Sequence, residues 1–170
     1  MAQKTLTPLS WGKPKLEFCA LTDTGELPTN PSWVELPTPV LDTTILTPIR
    51  GEQKTAPVEG GGNEAVLYQA NNYTFEFQLR KVKGRNNPIE HFDGVVSGEH
   101  ALRLTPEDPT NEGILIDRLQ FVVDDSWNAS EGKKVLYFGD VLIPVDGSQR
   151  VKPYFAPTTT DPDPDPDPIG

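Results

Sequence analysis

The sequence predicts an all-β protein, a β-sandwich or barrel of about eight strands with one short α-helix and a long protruding hairpin. Three observations predict it. Eighteen prolines are spread through 170 residues, a spacing that suits short strands and loops and breaks long helices. Apolar and polar residues alternate at period two in several stretches. Clusters of Gly, Asn, Asp and Pro separate those stretches at short intervals.

The elements follow in order. Residues 1–13 read as an irregular N-terminal arm, 14–156 as one β domain and 157–170 as a low-complexity tail. In the run 15–21, Leu16, Phe18 and Ala20 share a face. A turn at 22–26 leads to a short strand at 32–36 that carries Trp33 between Pro31 and Pro37. Residues 43–49 and 54–59, joined through Arg50, Gly51, Glu52 and Gln53, read as a long hairpin. It has few large apolar residues, and a hairpin without a hydrophobic face is not stable alone. It must therefore lie on its own domain or on a neighbouring copy. Its reaching segment is Pro48, Ile49, Arg50, Gly51, Glu52, Gln53 and Lys54. Gly60–Gly62 forms a corner.

The clearest strand is 72–82. Tyr73, Phe75, Phe77 and Leu79 point to a core, and Thr74, Glu76 and Gln78 form a polar face suited to a channel wall. The short helix is expected at 88–93, with Asn87 as its N-cap, Pro88 in its first turn and Gly94 at its end. Strands are expected again at 100–105, 113–123, 133–143 and 150–155.

Composition narrows the function classes. The net charge is −10, and Asp161, Asp163, Asp165 and Asp167 in the tail account for four of those charges, which leaves −6 on the rest. An acidic body is unsuited to ordinary DNA binding, which needs Lys and Arg to displace phosphate counterions. It suits a surface that DNA slides past. Cys19 is the single cysteine, so no internal disulfide is expected, and a reducing compartment is favoured. The opening MAQKTLTPLSWGKPK lacks the apolar stretch of a signal peptide, and no run approaches 18 apolar residues. Alternating Asp-Pro in the tail favours an extended, self-repelling chain, ordered only by contact with a neighbour.

No constellation of catalytic residues emerges, and neither a metal nor a cofactor is expected. His91 and His100 lack ligand spacing, and Glu90, His91 and Asp93 read as the polar end of the short helix. Asp124-Asp125 reads as a strand end before a turn, and Cys19 as a packed strand residue. The sequons at Asn72 and Asn128 are read as chance matches without a secretion signal. Arg80, Lys81, Lys83 and Arg85 form the one strong local charge and are assigned to an acidic patch on a neighbouring subunit rather than to nucleic acid.

Three stretches together resemble the tail tube proteins of Bacteroides-type phages and prophages. They are Trp11-Gly12-Lys13-Pro14-Lys15-Leu16; Glu35–Val40 through Arg50–Gly61 with Tyr73–Phe77; and Leu102–Asp108 through Glu131–Tyr137. The resemblance spans most of 11–155 and is one of pattern, without a diagnostic motif. It implies hexameric rings stacked into a tube, an acidic lumen that conducts DNA, and a hairpin that reaches into the adjacent ring. It implies the partners of such a tube: other copies, tape measure, terminator and sheath proteins, and DNA in transit, with no membrane. It further implies a virion tail assembled in the host bacterial cytoplasm. Type VI secretion tubes share the fold, so the machine is not fixed by fold. The Asp-Pro tail departs from the pattern. The competing readings are another virion protein (connector, stopper or decoration) and a secreted β-sandwich binding module; an enzyme is the weakest.

Overall fold

The computed structural model describes residues 10–157, so most of the expected arm at 1–13 and all but the first residue of the tail at 157–170 lie outside the described residues. The described residues form ten strands: β1 (Lys15–Ala20), β2 (Val34–Glu35), β3 (Ile45–Ile49), β4 (Gln53–Pro57), β5 (Asn63–Tyr68), β6 (Asn72–Arg80), β7 (His100–Thr105), β8 (Gly113–Asn128), β9 (Gly132–Val141) and β10 (Val151–Tyr154). Eight of them form one antiparallel sheet in the order β2-β1-β7-β8-β9-β6-β3, with β10 also on β8; β4 and β5 pair only with each other. The 16-residue β8 is the spine. Its Ile116 lies between Leu102 of β7 and Val151 of β10, and its Leu119 between His100 of β7 and Val141 of β9.

The sheet must curl. Leu36 N donates to Leu16 O of β1 at 2.8 Å, and Val40 N donates to Gln78 O of β6 at 2.8 Å. Strands β1 and β6 are four places apart in the sheet, about 19 Å if flat. The four residue-to-residue steps from Leu36 to Val40 span at most about 14 Å. The strap from Leu36 to Thr43 therefore draws the two sides together and curls the sheet into a barrel-like shape, bridged by the strap and not by a ladder between β2 and β3. Thr43 completes the bridge: its hydroxyl accepts from Gln78 N at 3.2 Å and donates to Val40 O at 2.7 Å.

Alternation then decides what fills the interior. Phe75, Phe77 and Leu79 of β6, Val135 and Tyr137 of β9, Leu119, Phe121 and Val123 of β8, Leu102 of β7 and Leu16 and Phe18 of β1 are buried together with Leu36 of the strap. Phe77 stacks on its cross-strand partner Tyr137 with centroids 5.0 Å apart, and meets Phe121 edge-on at 6.2 Å. Gly139 separates Phe75 and Phe121 in the ladder. A Cβ on Gly139 would lie 3.0 Å from Leu119 Cδ2 and 3.1 Å from the Phe121 ring, so the glycine makes room for the aromatic layer. Outside the barrel, Arg103 of β7 donates to both carboxylate oxygens of Glu17 at 3.1 and 2.9 Å. Its guanidinium lies 4.3 Å from the Trp33 ring and 5.5 Å from that of Tyr154. One arginine thus ties β1, the segment before β2 and β10 to β7.

Several expectations change. The helix expected at 88–93 is absent; no helix occurs among the described residues. Its place is taken by a tight turn in which Phe92 and Val95 exchange backbone hydrogen bonds at 2.9 Å. Asp93 and Gly94 both have positive φ, 48° and 88°, the type I′ pair that an Asp-Gly dipeptide favours. Gly94 O accepts from Val123 N at 3.0 Å, which docks this turn on β8. The hairpin expected to pair 43–49 with 54–59 is also corrected. Residues 45–49 pair with 72–76 of β6, and 53–57 pair with 63–68. The turn lies at Val58–Gly62, where Val58 N donates to Gly62 O, and not at 50–53. Gly60 and Gly61 sit at φ 98° and 91° there, a conformation open to glycine and costly for Arg50 or Glu52. Ala20, expected inside with Leu16 and Phe18, is exposed, whereas Cys19 is buried.

Two predictions follow from this core. Gly139→Ala lowers unfolding free energy by about 1–2 kcal/mol, because fully buried Leu119 and Phe121 have no room to give; a urea midpoint at or above wild type would contradict the packing. His100 is buried between Phe18 and Phe121, with centroids 5.8 and 5.9 Å away, and its Nδ1 has no partner among the described residues. Burial holds its imidazole below the ordinary 6.5. The unfolded chain takes up this proton first as pH falls, so the neutral ring's contribution is full above pH 6.5 and lost as pH drops through the folded-state value. His100→Gln should narrow the stability loss between pH 7.5 and 5; equal losses in variant and wild type would remove His100 as the cause.

Candidate assembly surface

The β4–β5 ribbon extends the β3–β6 pair beyond the barrel. Gln69 N donates to Glu52 O at 2.9 Å, and Gly51 N to Asn71 Oδ1 at 3.2 Å, so the joint between the two ladders is held by hydrogen bonds. Arg150 Nη1 adds a bond of 2.6 Å to Asn71 O. Beyond that joint the ribbon stands apart from the other described elements: neither β4 nor β5 contacts any other strand among the described residues. Every residue of both strands is exposed. These residues include Val66, Leu67 and Tyr68, the last two 63% exposed, and Val58 at the tip is exposed as well. With six residues in β5, the arm is about 20 Å long.

The expected reaching segment divides across this arm. Pro48 and Ile49 belong to β3 in the barrel sheet, Arg50, Gly51 and Glu52 form the joint, and Gln53 and Lys54 open β4. The apolar surface lies instead in β5, which the sequence reading left unassigned between Gly62 and Asn72. Its signal was present: glycines at the turn, then Ala65-Val66-Leu67-Tyr68, a β-prone run.

Thr74, Glu76 and Gln78 are half-buried on the outer face of β6, opposite Phe75, Phe77 and Leu79. Cross-strand partners share a face, so Asp140 lies beside Thr74, Phe138 beside Glu76 and Leu136 beside Gln78, with Asp124 beside Leu136. This outer face is therefore acidic around Asp124, Asp140 and Glu76. One row, apolar except at Glu76, crosses it. Phe92, Val95, Val122, Phe138, Glu76 and Ile45 are successive partners from the Asp93-Gly94 turn to edge strand β3. Phe92 is 82% and Val95 70% exposed, and Val122 and Ile45 are exposed too. Beyond β3 the sheet edge is open, and Pro48 blunts it by removing one N–H.

The basic residues gather at the far end of the same face. Arg80 is the ladder partner of Lys134, and Lys81 N donates to Lys133 O at 3.0 Å. Lys83 and Arg85 are exposed in the turn that follows, closed by Arg85 N donating to Val82 O at 3.1 Å.

The residues weighed for chemistry act as fasteners. His91 Nδ1 accepts from Gly94 N at 3.1 Å, and its Nε2 lies 3.7 Å from Asp125 Oδ2. The ring thus clips the 92–95 turn to β8, and Asp125 lies within β8, with no turn until after Asn128. The Tyr137 hydroxyl has no partner among the described residues, and burial, with Asp125 adding to it, pushes its pKa to about 12, so it stays protonated. Among the described residues no three His, Cys, Asp or Glu side chains are grouped to hold a metal ion, and no helix is long and apolar enough to cross a membrane. No protein-family model matches the chain, and no curated protein matches it either.

Proposed function

We propose that this chain is a structural subunit of a tube of the phage-tail type, in which copies form stacked rings and DNA passes through an acidic lumen. The observation that carries the proposal is the free β4–β5 arm. A two-stranded ribbon with both faces in water is at best marginally stable, yet this one exposes Val66 and Tyr68 on one face, Leu67 on the other and Val58 at its tip. Burying each such side chain against a neighbour contributes about 1.5–3 kcal/mol. Exposed apolar groups arranged in this way mark a protein contact, and a second copy is the partner that the resemblance to tube proteins implies. The acidic outer face around Thr74, Glu76 and Gln78 supports the assignment of a channel wall, since like charge repels a nucleic-acid backbone. The open edge of β3 supports pairing with the next subunit, which would remove the hazard of a bare strand. On this reading the protein resides in a virion tail and is assembled in the host bacterial cytoplasm.

The arm can be removed without disturbing the barrel. Gln69 N already donates to Glu52 O, the hydrogen bond that closes a two-residue turn. Replacing 53–68 by Asn-Gly should therefore leave a folded subunit with a melting temperature within a few degrees of the parent, about the effect of 1 kcal/mol. Negative-stain images and light scattering should show tubes for the full chain and single subunits or unstacked rings for the variant. Tubes formed without the arm would sink its role; a full chain that stays monomeric at high concentration would sink the tube itself, and isolated rings or trimers would point to a connector or decoration protein.

A further inference from the structure

The corner built by the end of β6, the turn after it and the start of β9 is strongly basic in an acidic chain. It holds Arg80, Lys81, Lys83, Arg85, Lys133 and Lys134. Lys134 is paired with Glu131, and Lys133 lies 3.8 Å from Asp125. Lys81 donates to Arg85 O at 2.6 Å and to Asn87 Oδ1 at 3.3 Å, and Arg80 to Glu131 O at 3.3 Å. None of Arg80, Lys81, Lys83 and Arg85 forms an ion pair with a carboxylate among the described residues.

We infer that this corner receives the Asp-Pro tail of another copy of the chain. The tail is the densest acidic segment, with Asp161, Asp163, Asp165 and Asp167 at every second position. The intervening prolines fix φ, so little backbone freedom remains to be lost on docking. The corner and the origin of the tail lie at opposite ends of the same strand. Tyr154, at the end of β10, is the partner of Gly113, the first residue of β8. Lys134 is the partner of Ser126, near its last. Those thirteen residues of strand are about 40 Å long. Asp161 follows Tyr154 by seven residues and can travel at most about 25 Å from it. Asp165 and Asp167 lie 11 and 13 residues past Tyr154 and can travel about 40 Å or more, so a chain can bring at most those two carboxylates to its own basic corner, whereas a neighbour's corner can receive all four. Such a contact is head-to-tail, with the acidic end of one copy on the basic end of the next. It rests on the reading that copies of this chain associate, and it names a second contact besides the arm.

The test uses full-length chain with Asp161, Asp163, Asp165 and Asp167 all changed to Asn, so that its own tail does not compete. The probe is a fluorescent peptide of residues 156–170, followed by anisotropy. Binding should weaken about tenfold when salt rises from 20 to 200 mM, as exposed charge pairs do. Lys83→Glu with Arg85→Glu in the receptor should abolish binding to the native peptide and create binding to a peptide with Lys at the four Asp positions. No binding at low salt overturns the inference, as does equal binding to native and reversed corners. Equal affinity for a Glu-Gly peptide of the same charge would make the corner a general polyanion site and overturn it too, and tighter binding of a DNA duplex would assign the corner to nucleic acid. Peptide binding is read at a receptor concentration at which light scattering shows single subunits, so its failure leaves arm-dependent assembly standing, and failure of the arm leaves the peptide result intact.

Discussion

Five residues of chain, Leu36 to Val40, hold this fold in its curled shape. Leu36 is bonded to β1 and Val40 to β6, strands that a flat sheet would keep too far apart for the intervening backbone to reach. The curl follows from that tether, and most of the interior follows from the curl. Phe77, Tyr137 and Phe121 meet because β6, β9 and β8 bend around one axis. Leu36 seals the layer as a core residue in its own right. Thr43 is essential to the tether in a way its size does not suggest. Its hydroxyl satisfies Gln78 N, a backbone donor that the strap would otherwise bury without a partner.

The barrel's strands were largely legible in the sequence, because each carries a period-two pattern with one buried face. Residues 72–80 show it most clearly, with Phe75, Phe77 and Leu79 inside. The sequence was less legible wherever tertiary pairing, and not local pattern, sets the structure. Asn87-Pro88 followed by Glu90 is a sound helix start, yet the segment has only Ile89 and Val96 to bury, too little for an amphipathic helix face. The Asp93-Gly94 dipeptide, a strong hairpin signal, decides the matter. Strand β8 runs five residues past its expected end at 123, because β9 continues to pair with it through Asn128, although Asp124 to Asn128 is polar apart from Trp127.

The candidate surface was legible in kind but misplaced in detail. An unsupported hairpin was expected from the poverty of apolar residues around Pro48 and Pro57. Half of that expected hairpin, 45–49, turned out to be backed by the barrel through β6. The free part is the next hairpin along, and its side chains are more apolar than those first assigned to it. Register explains the difference. A turn at Arg50–Gln53 offers one glycine, Gly51, for positive φ, whereas the turn at Val58–Gly62 has two in succession, Gly60 and Gly61, that adopt it.

The arm and the barrel thus follow opposite rules, and the contrast bears on how assembly is controlled. The barrel satisfies its core within one chain, so its folding does not depend on concentration. The arm buries nothing against the rest of the described residues, so under the proposed function its ordering is coupled to contact with a neighbour and draws on the energy of that contact. Such coupling makes the first contact costly. A subunit in solution has no reason to hold its arm in the docked conformation, while a subunit that meets a formed surface gains apolar burial at once. Growth from an existing ring is then favoured over nucleation of a new one. The barrel contributes the rigid part of this arrangement, since the Glu52–Gln69 bond and the Arg150–Asn71 contact fix the base from which the arm departs. A rigid base restricts the directions the arm can take, and a restricted arm raises the effective concentration of its tip at one place on the neighbour.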